Sequence, residues 1–557
     1  MSYNILGVNQ GHNGSVCLLI DGKIEFYVEE ERLTRLKYDA NPFRGMLLAL
    51  ESHSIDEIIL SPDYHYQSRL PWSNENACVS LARKFNPNIK VSGIDVEHHI
   101  SHAASAFYGS GFDDAVAIII DGSGSFHTME LNGVVSSGWE IETIYDCSYP
   151  CEFNVLYKAH GADATPYYAD SIRVFDDSAG IVKTYEAVTN YLGFGYLDGG
   201  KTMGLAPYGN YDGNISNIYY DGRGDKNKIV TSYPGGAYID LKRNAYLENK
   251  SAMFTQEQRN LAWHVQEESK NLVVSLIKYA TDITGKRNVV IAGGYGLNCV
   301  SNYQYLKEFP NLNFYVDPVS HDGGTAIGYA KYAWYKYLKD NQLKYTKDSL
   351  NTLYLGPSRK FEIERISLPS NFSMSYASYE DVAKLLKIGE IVTIFQSKCE
   401  AGPRALGNRS ILFDPRVING KDIINGVKHR EWFRPFAGSV LEEHASQWFD
   451  LQTLTSSPFM MYAVDVLPDK RDMIPSITHV DGTCRIQTVN RDQNLHYYRL
   501  IEAFFKLTKV PILFNTSFNL AGDPLVETID DAIDTLKRSD LKYIYLPEIN
   551  KIITKEL

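Results

Sequence analysis

What constrains this chain most is a recurring pattern, a short apolar run that stops abruptly in a loop of glycine and small polar residues. Asn4 to Val8 is apolar, Asn9 to Gly14 is a polar loop, Val16 to Ile20 is apolar again, and Asp21-Gly22 turns into Lys23 to Val28. That reads as a strand meander with a tight Asp-Gly hairpin. Ala115 to Ile120 is a second buried strand, ending in Asp121-Gly122-Ser123-Gly124, and Asn288 to Ile291 is a third, ending in Gly293-Gly294. Thr255 to Thr284 reads as a long helix, and Gly323 to Leu338 as another that follows an Asp-Gly-Gly turn. Strands alternating with helices give an α/β class, and the pattern alone goes no further.

At 557 residues the chain exceeds one hydrophobic core, so two domains are expected, and 44% hydrophobic residues suffice to fill both. The aperiodic polar stretch Lys339 to Lys360 is the natural linker; beyond it Tyr379 to Lys387 reads as helix, and Ile391 to Phe395 and Val510 to Phe514 as strands. The domains are therefore expected at 1–345 and 360–557. A net charge of -12 argues against long contact with a nucleic-acid backbone while permitting a local basic cleft. Seven irregularly spaced cysteines form no disulfide framework, and the Cys147/Cys151 pair has no second pair with which to hold zinc. The opening MSYNILGVNQGHNGSV has no basic segment leading into an apolar core, and no apolar run reaches membrane-spanning length, so a cytoplasmic protein without membrane partner is expected.

Against that acidic background, Glu400 to Leu441 carries seven Lys and Arg. Arg404, Arg409, Arg416, Lys428, Arg430 and Arg434 are interleaved with Leu406, Ile411, Leu412, Phe413, Phe433 and Phe436, which a merely solvated basic face would not include. Several guanidiniums converging on phosphate-sized groups fit the pattern. His98 and His102, four apart before Ala-Ala-Ser-Ala-Phe, fall on one helical face, and His99 points elsewhere. Read without context, that spacing suits either one metal ion or two solvated or capping histidines. Gly122-Ser123-Gly124, Gly293-Gly294 and Gly323-Gly324 can each present backbone N–H groups to a phosphate, with Lys201 as a point charge.

The motifs GHNGS, HHISHAASAF from His98, DGGKTMGLAPYG from Asp198, AGGYGLNCVSN from Ala292, HDGGTAIGYA from His321, GPRALGNRS with DPR, KHRE and RPFA, and FNTSFN from Phe514 resemble, in order, the NodU/CmcH-type O-carbamoyltransferases. The resemblance covers almost the whole chain. It implies a duplicated ribonuclease-H-like N-terminal domain of the actin and sugar kinase superfamily, followed by a YrdC-like α/β domain.

It also implies a chemistry. The second domain hydrolyses carbamoyl phosphate and joins the carbamate to ATP, with Mg2+, to give carbamoyladenylate; the first passes the carbamoyl group to a hydroxyl of a small molecule, sugar or nucleoside. Arg404, Lys428, Arg434 and Arg485 would neutralise phosphate oxygens, Arg404 and Lys428 catalytically, while Asn515 and Ser517 supply neutral hydrogen bonds. Arg409 is alternatively a structural brace to Asp414. Asp322 would join His98 and His102 on a divalent metal, iron(II) favoured, with zinc or manganese as alternatives. Gly122, Ser123, Gly124, Lys201, Gly293, Gly294 and Asn298 would line an adenylate pocket, and His12 would take the proton of the acceptor hydroxyl. Asn13 stands where the family commonly has aspartate. Carbamoylation of a hydroxymethylated base in nucleic acid, and a nucleotide-binding scaffold without activity, are the competing readings. The oligomeric state cannot be read from the sequence.

Overall fold

The computed structural model describes residues 2–60, 76–93, 96–131, 134–161, 180–195, 197–215, 218–221, 231–232, 253–358 and 366–556, with backbone alone at 127–131, 134–138, 161, 220–221 and 231–232. Residues 1–59, 65–91 and 350–557 form one compact unit, and residues 60–64 and 92–349 form another.

The first sheet takes β1 (Asn4–Asn9), β2 (Ser15–Ile20), β3 (Lys23–Glu29), β4 (Glu57–Leu60) and β5 (Lys90–Ser92) in the order β3-β2-β1-β4-β5. Its meander is the expected one. Asp21 and Gly22, at φ 49° and 81°, both adopt the left-handed conformation that lets a two-residue turn follow the twist of β2 and β3. Helices α1 (Glu30–Thr34), α2 (Phe43–Ser52) and α3 (Ala77–Phe85) follow, the last capped by Asn76, whose side chain accepts from Cys78 and Val79.

The second unit begins with α4 (His98–Ser110), β6 (Asp114–Ile120), β7 (Phe126–Leu131), β8 (Val134–Ser148) and β9 (Glu152–Gly161). Then come α5 (Gly180–Tyr191), α6 (Gly199–Leu205), a ribbon of β10 (Tyr220–Asp221) and β11 (Thr231–Ser232), α7 (Gln256–Thr284), β12 (Asn288–Ala292), α8 (Cys299–Glu308), β13 (Asn313–Val316) and α9 (Thr325–Asp340). The sheet runs β13-β12-β6-β8, with β7 and β9 both on β8. β6, β12 and β13 are parallel, while β8 is antiparallel to β6. Read as β9-β8-β6-β12-β13, this is the strand order of the first sheet repeated, and the repeat makes the N-terminal half a duplicated ribonuclease-H-like fold. The 29-residue α7 starts as the sequence suggests, with Thr255 and Gln258 in a reciprocal capping box.

The C-terminal stretch adds β14 (Phe372–Tyr376), α10 (Tyr379–Lys387), β15 (Val392–Phe395), β16 (Arg409–Phe413), α11 (Gly420–Lys428), β17 (Ala437–Leu441), β18 (Phe449–Asp450), β19 (Ala463–Val466) and β20 (Thr483–Val489). It closes with α12 (Leu495–Thr508), β21 (Ile512–Ser517), α13 (Ile529–Lys537), β22 (Tyr543–Leu546) and β23 (Lys551–Lys555). Ten strands form one mixed sheet, β14-β23-β22-β15-β16-β21-β17-β20-β19-β18. β21 starts two residues later than the apolar run suggests, because Pro511 has no N–H to give to the ladder.

Residues 1–59 join this C-terminal stretch in one unit, a division that the sequence boundary at 345–360 does not anticipate. The reason is a set of long-range hydrogen bonds. Tyr27 N–H donates to Leu355 O at 2.8 Å, buried Arg32 donates to Gly402 O at 2.7 Å, and Arg35 donates to Leu525 O and Pro524 O. The supposed linker is itself engaged, since Leu353 O accepts from Ala401 and Gly356 N–H donates to Cys399 O. Among the described residues no helix is long and apolar enough to cross a membrane, and all seven cysteines are free.

Candidate active sites: a histidine–aspartate cluster and a cationic sheet face

Helix α4 carries His98 and His102 one turn apart, and its start is held by side chains. Ser125 Oγ accepts from the His98 N–H at 2.9 Å, and Glu140 Oε2 accepts from both His99 N–H and Ser125 N–H. Glu140 is in turn paired with buried Lys158, which also binds Glu97. On the other side α9 approaches so closely that a Cβ on Gly328 would sit 1.8 Å from Ser101 O. The Asp322 turn that leads into α9 is thereby brought to α4.

The two imidazole Nε2 atoms lie 3.0 Å apart, each 3.7 Å from Asp322 Oδ1. A fourth group completes the set: Asp121 Oδ2 is 3.5 Å from His98 Nε2. All four donor atoms fall within 4.8 Å of one another. Ligands at about 2.0–2.2 Å from one ion stand apart by such distances, so the four atoms could hold one divalent cation. Two carboxylates match a divalent charge. Burial opposes charge on both His98 and Asp121, yet their mutual contact holds His98 well above the usual imidazole range and Asp121 below the usual carboxylate range. His99 turns away, its Nδ1 on Thr143 Oγ1 at 2.8 Å.

Several of the glycine-loop donors are already engaged. Gly124 N–H donates to Glu140 O and Gly294 N–H to Asp121 Oδ1, while Gly323 and Gly324 donate to His321. Gly293, at φ 87°, has room for no side chain, since a Cβ would lie 2.3 Å from Ile120 O. Asn298 caps α8 and pairs its amide with Gln266. Lys201 is 3.0 Å from Asp198. Gly122 stands beside Lys183, whose Nζ would be 3.3 Å from a Cβ there; Ser123, between these glycines, is exposed. His12 lies in the β1–β2 loop, in the other compact unit from the histidine–aspartate cluster, with Nδ1 3.1 Å from Asn13 Oδ1.

The cationic segment folds over the C-terminal sheet. Lys428, fully buried at the end of α11, donates to Ser517 O, to Ser517 Oγ at 3.2 Å and to Asn519 Oδ1 at 3.0 Å. Arg430 reaches Ser517 Oγ at 3.5 Å. Burial first, then Arg430 and Arg434, holds the Lys428 ammonium well below the usual lysine range; burial, Arg434 and Arg485 bring Arg430 down to about 9. The nearest acid, Glu431, is 3.7 Å from Arg434. Asn515 is buried on β21, and Arg404 lies in the loop before β16.

Two neighbouring arginines serve differently. Arg409 is a brace, but not to Asp414: buried, it donates to the carbonyls of Gln396, Asn408, Ser397 and Glu527, with its guanidinium 3.7 Å from the centre of the Phe395 ring. Arg416 is the partner of Asp414, at 2.6 Å.

A family model described as the carbamoyltransferase N-terminus matches residues 58–331, and one described as the carbamoyltransferase C-terminus matches residues 383–553. The nodulation protein NolNO of Sinorhizobium fredii is 33% identical over 570 residues, covering 95% of this chain and 77% of that one. The chain belongs to the NodU/CmcH-type carbamoyltransferase family. This carbamoyltransferase is also 34% identical to the nodulation protein NolO of Bradyrhizobium diazoefficiens, over 80% of its own length and 77% of that protein's. Among solved structures, full-length HypF in its phosphate- and nucleotide-bound form aligns at 13% identity and a TM-score of 0.37, over 61% of this chain and 56% of that one.

Sequence reasoning did not single out Asp121 as part of the carbamoyltransferase's histidine cluster, reading it only as the head of a glycine loop. The sequence showed only that it follows the apolar run of β6, and it is the parallel pairing of β6 with β12 that puts it at the carboxyl ends of parallel strands, where α/β sheets place their ligands. Lys183 carried no such signal.

Proposed function

We propose that this carbamoyltransferase is an ATP-dependent O-carbamoyltransferase that works through carbamoyladenylate and modifies a hydroxyl of a small molecule, sugar or nucleoside. The observation that carries the reading is the gathering of Arg430, Arg434 and Arg485 about buried Lys428 and one another, where burial and the neighbouring cations lower the proton affinity of Lys428 and Arg430. Such mutual repulsion suits a site for several phosphate charges.

In the first half-reaction water cleaves carbamoyl phosphate to carbamate and phosphate. A carbamate oxygen then attacks the α-phosphorus of ATP, pyrophosphate leaves, and carbamoyladenylate remains. Arg404, Lys428, Arg434 and Arg485 hold the phosphate oxygens, and Ser517 and Asn515 contribute neutral hydrogen bonds.

In the second half-reaction the acceptor oxygen attacks the carbamoyl carbon, AMP leaves, and the hydroxyl proton goes to His12. His12 Nδ1 lies 3.1 Å from Asn13 Oδ1, and with Nδ1 as the donor of that contact Nε2 would be the nitrogen that serves as base. His98, His102, Asp121 and Asp322 would hold a divalent metal, which when bound supplies Lewis-acid polarisation of a carbamoyl or phosphate oxygen. Gly122, Ser123, Lys201 and Gly293 remain the adenylate contacts of this reading, joined by Lys183.

The test is mass spectrometry of candidate acceptors incubated with protein, ATP and carbamoyl phosphate. A product heavier by a carbamoyl group in place of hydrogen is expected. A phosphorylated acceptor instead would replace carbamoyl transfer by a kinase activity.

A further inference from the structure

We propose that Arg32, on the short helix after the first meander, is a positioning residue for anion binding: through the Gly402 carbonyl it sets the turn that aims Arg404. This rests on the reading of Arg404 as a phosphate ligand.

Helix α1 is held at its start. Glu30 N–H donates to Gly14 O at 2.7 Å, and the Glu30 carboxylate accepts from Arg44 N–H at 2.9 Å and Gly45 N–H at 3.0 Å. Because Gly14 also donates to Asp39 O, the loop that carries His12 is tied to the same helix. From this platform Arg32 runs inward, only 4% exposed, with Glu29 at 3.6 Å and Glu31 at 3.9 Å. Glu31 is itself fixed by Lys37 at 2.8 Å and by Tyr38 N–H at 3.0 Å.

Arg32 Nη2 donates to Gly402 O at 2.7 Å. That is its one hydrogen bond among the described residues, since Nε and Nη1 are buried without one. A guanidinium that buries its charge and leaves two nitrogens unsatisfied for a single carbonyl is a poor device for stability. Arg409, which serves four carbonyls, shows what a brace looks like. Nor does docking α1 require this contact, because Arg35 already joins the helix to Leu525 O and Pro524 O.

The carbonyl that Arg32 holds is well placed to act on Arg404. Gly402, at φ 81°, turns the chain, and the ring of Pro403 fixes the next φ at about -65°. Few free torsions then separate the held carbonyl from Arg404. On the far side Asn515 Nδ2 donates to Ala405 O at 3.1 Å, and Glu400 Oε1 accepts from the N–H groups of Leu406, Asn408 and Arg409. Arg404 is thus suspended between two fixed carbonyls, and the one before it is set from α1.

The experiment is a double-mutant cycle on the affinity for inorganic phosphate, measured by calorimetry. Arg404→Ala should weaken binding about 10- to 100-fold. Arg32→Lys keeps a cation beside Glu29 and Glu31, but its ammonium stops one bond short of Nη2; it should weaken binding about 5- to 10-fold. In the Arg404→Ala background the same change should add less than about twofold, because its route of action is gone. Loosened packing would instead weaken binding by one factor in both backgrounds. Arg32→Gln, a neutral donor, should repeat the pattern, so the test does not hang on one variant folding. Equal weakening in both backgrounds, or none with Arg32→Lys, overturns this inference alone. Unweakened binding in Arg404→Ala, or no phosphate binding by the unaltered protein, overturns the reading of Arg404 and this inference with it.

Discussion

Asp121 Oδ1 accepts the Gly294 N–H at 3.0 Å while its Oδ2 faces His98 Nε2 at 3.5 Å. One carboxylate thereby ties the loop after β6 to the loop after β12 and offers its second oxygen to the histidine pair. Gly294 is held by the group that completes the cluster, so the glycine loop and the candidate metal ligands are joined.

Asp121→Asn separates these two duties. It keeps an oxygen for Gly294 and removes the charge, so the protein should fold and bind a divalent ion about 10- to 100-fold more weakly. His102→Ala, which deletes a ligand, should leave no stoichiometric metal. Metal content after dialysis, read by plasma mass spectrometry, checks both; full occupancy in His102→Ala contradicts the assignment.

Phosphate binding should take up protons. Lys428 and Arg430 have lowered proton affinities in the free protein, Arg430 at about 9, and an anion between them raises both. Affinity for inorganic phosphate should then fall as pH rises toward and through 9. Calorimetry in two buffers of different ionisation enthalpy gives the proton count directly, and Lys428→Met should reduce it.

Glu142 predicts a pH-dependent stability. Burial raises its carboxyl to about 7, opposed only by the hydrogen bond from Ile181 N–H. Its folded value lies above the unfolded one, so the folded state binds the extra proton, and stability is full below about 4.5 and lost as pH rises through 7. Glu142→Gln should therefore raise Tm at pH 8 and leave it nearly unchanged at pH 4.5. Thermal unfolding at the two pH values checks this.

Arg409 tests the separation of brace from ligand. Arg409→Met removes a buried cation that serves four carbonyls and should destabilise the protein by about 3 kcal/mol, read by denaturant unfolding. Arg434→Ala should instead leave stability nearly unchanged and reduce pyrophosphate release by about 10² to 10³.

The strands and the long helices were legible because each is bounded by a residue with one local meaning: the Asp21-Gly22 turn, the Thr255 cap, the Gly293 bend. The His98 and His102 pair was legible for the same reason, since helical spacing is local. Asp121 was not, because its role depends on which strand lies beside β6, and register across a sheet is not written in either strand alone. Arg409 and Arg416 show the same limit. Both are arginines in one short motif, and only the tertiary neighbours make one a brace to four carbonyls and the other a partner of Asp414. The pairing of residues 1–59 with the C-terminal stretch likewise rests on Tyr27, Arg32 and Arg35 reaching carbonyls hundreds of residues away.

The central claim, that carbamoyl transfer runs through an adenylate made on the cationic sheet face, is tested most directly by the nucleotide formed from ATP. Purified protein given ATP, Mg2+ and carbamoyl phosphate should produce AMP and pyrophosphate in equal amounts, and His12→Ala should still release pyrophosphate while Lys428→Met should not. ADP as the sole nucleotide product, or equal loss of pyrophosphate release in folded His12→Ala and Lys428→Met, would contradict it.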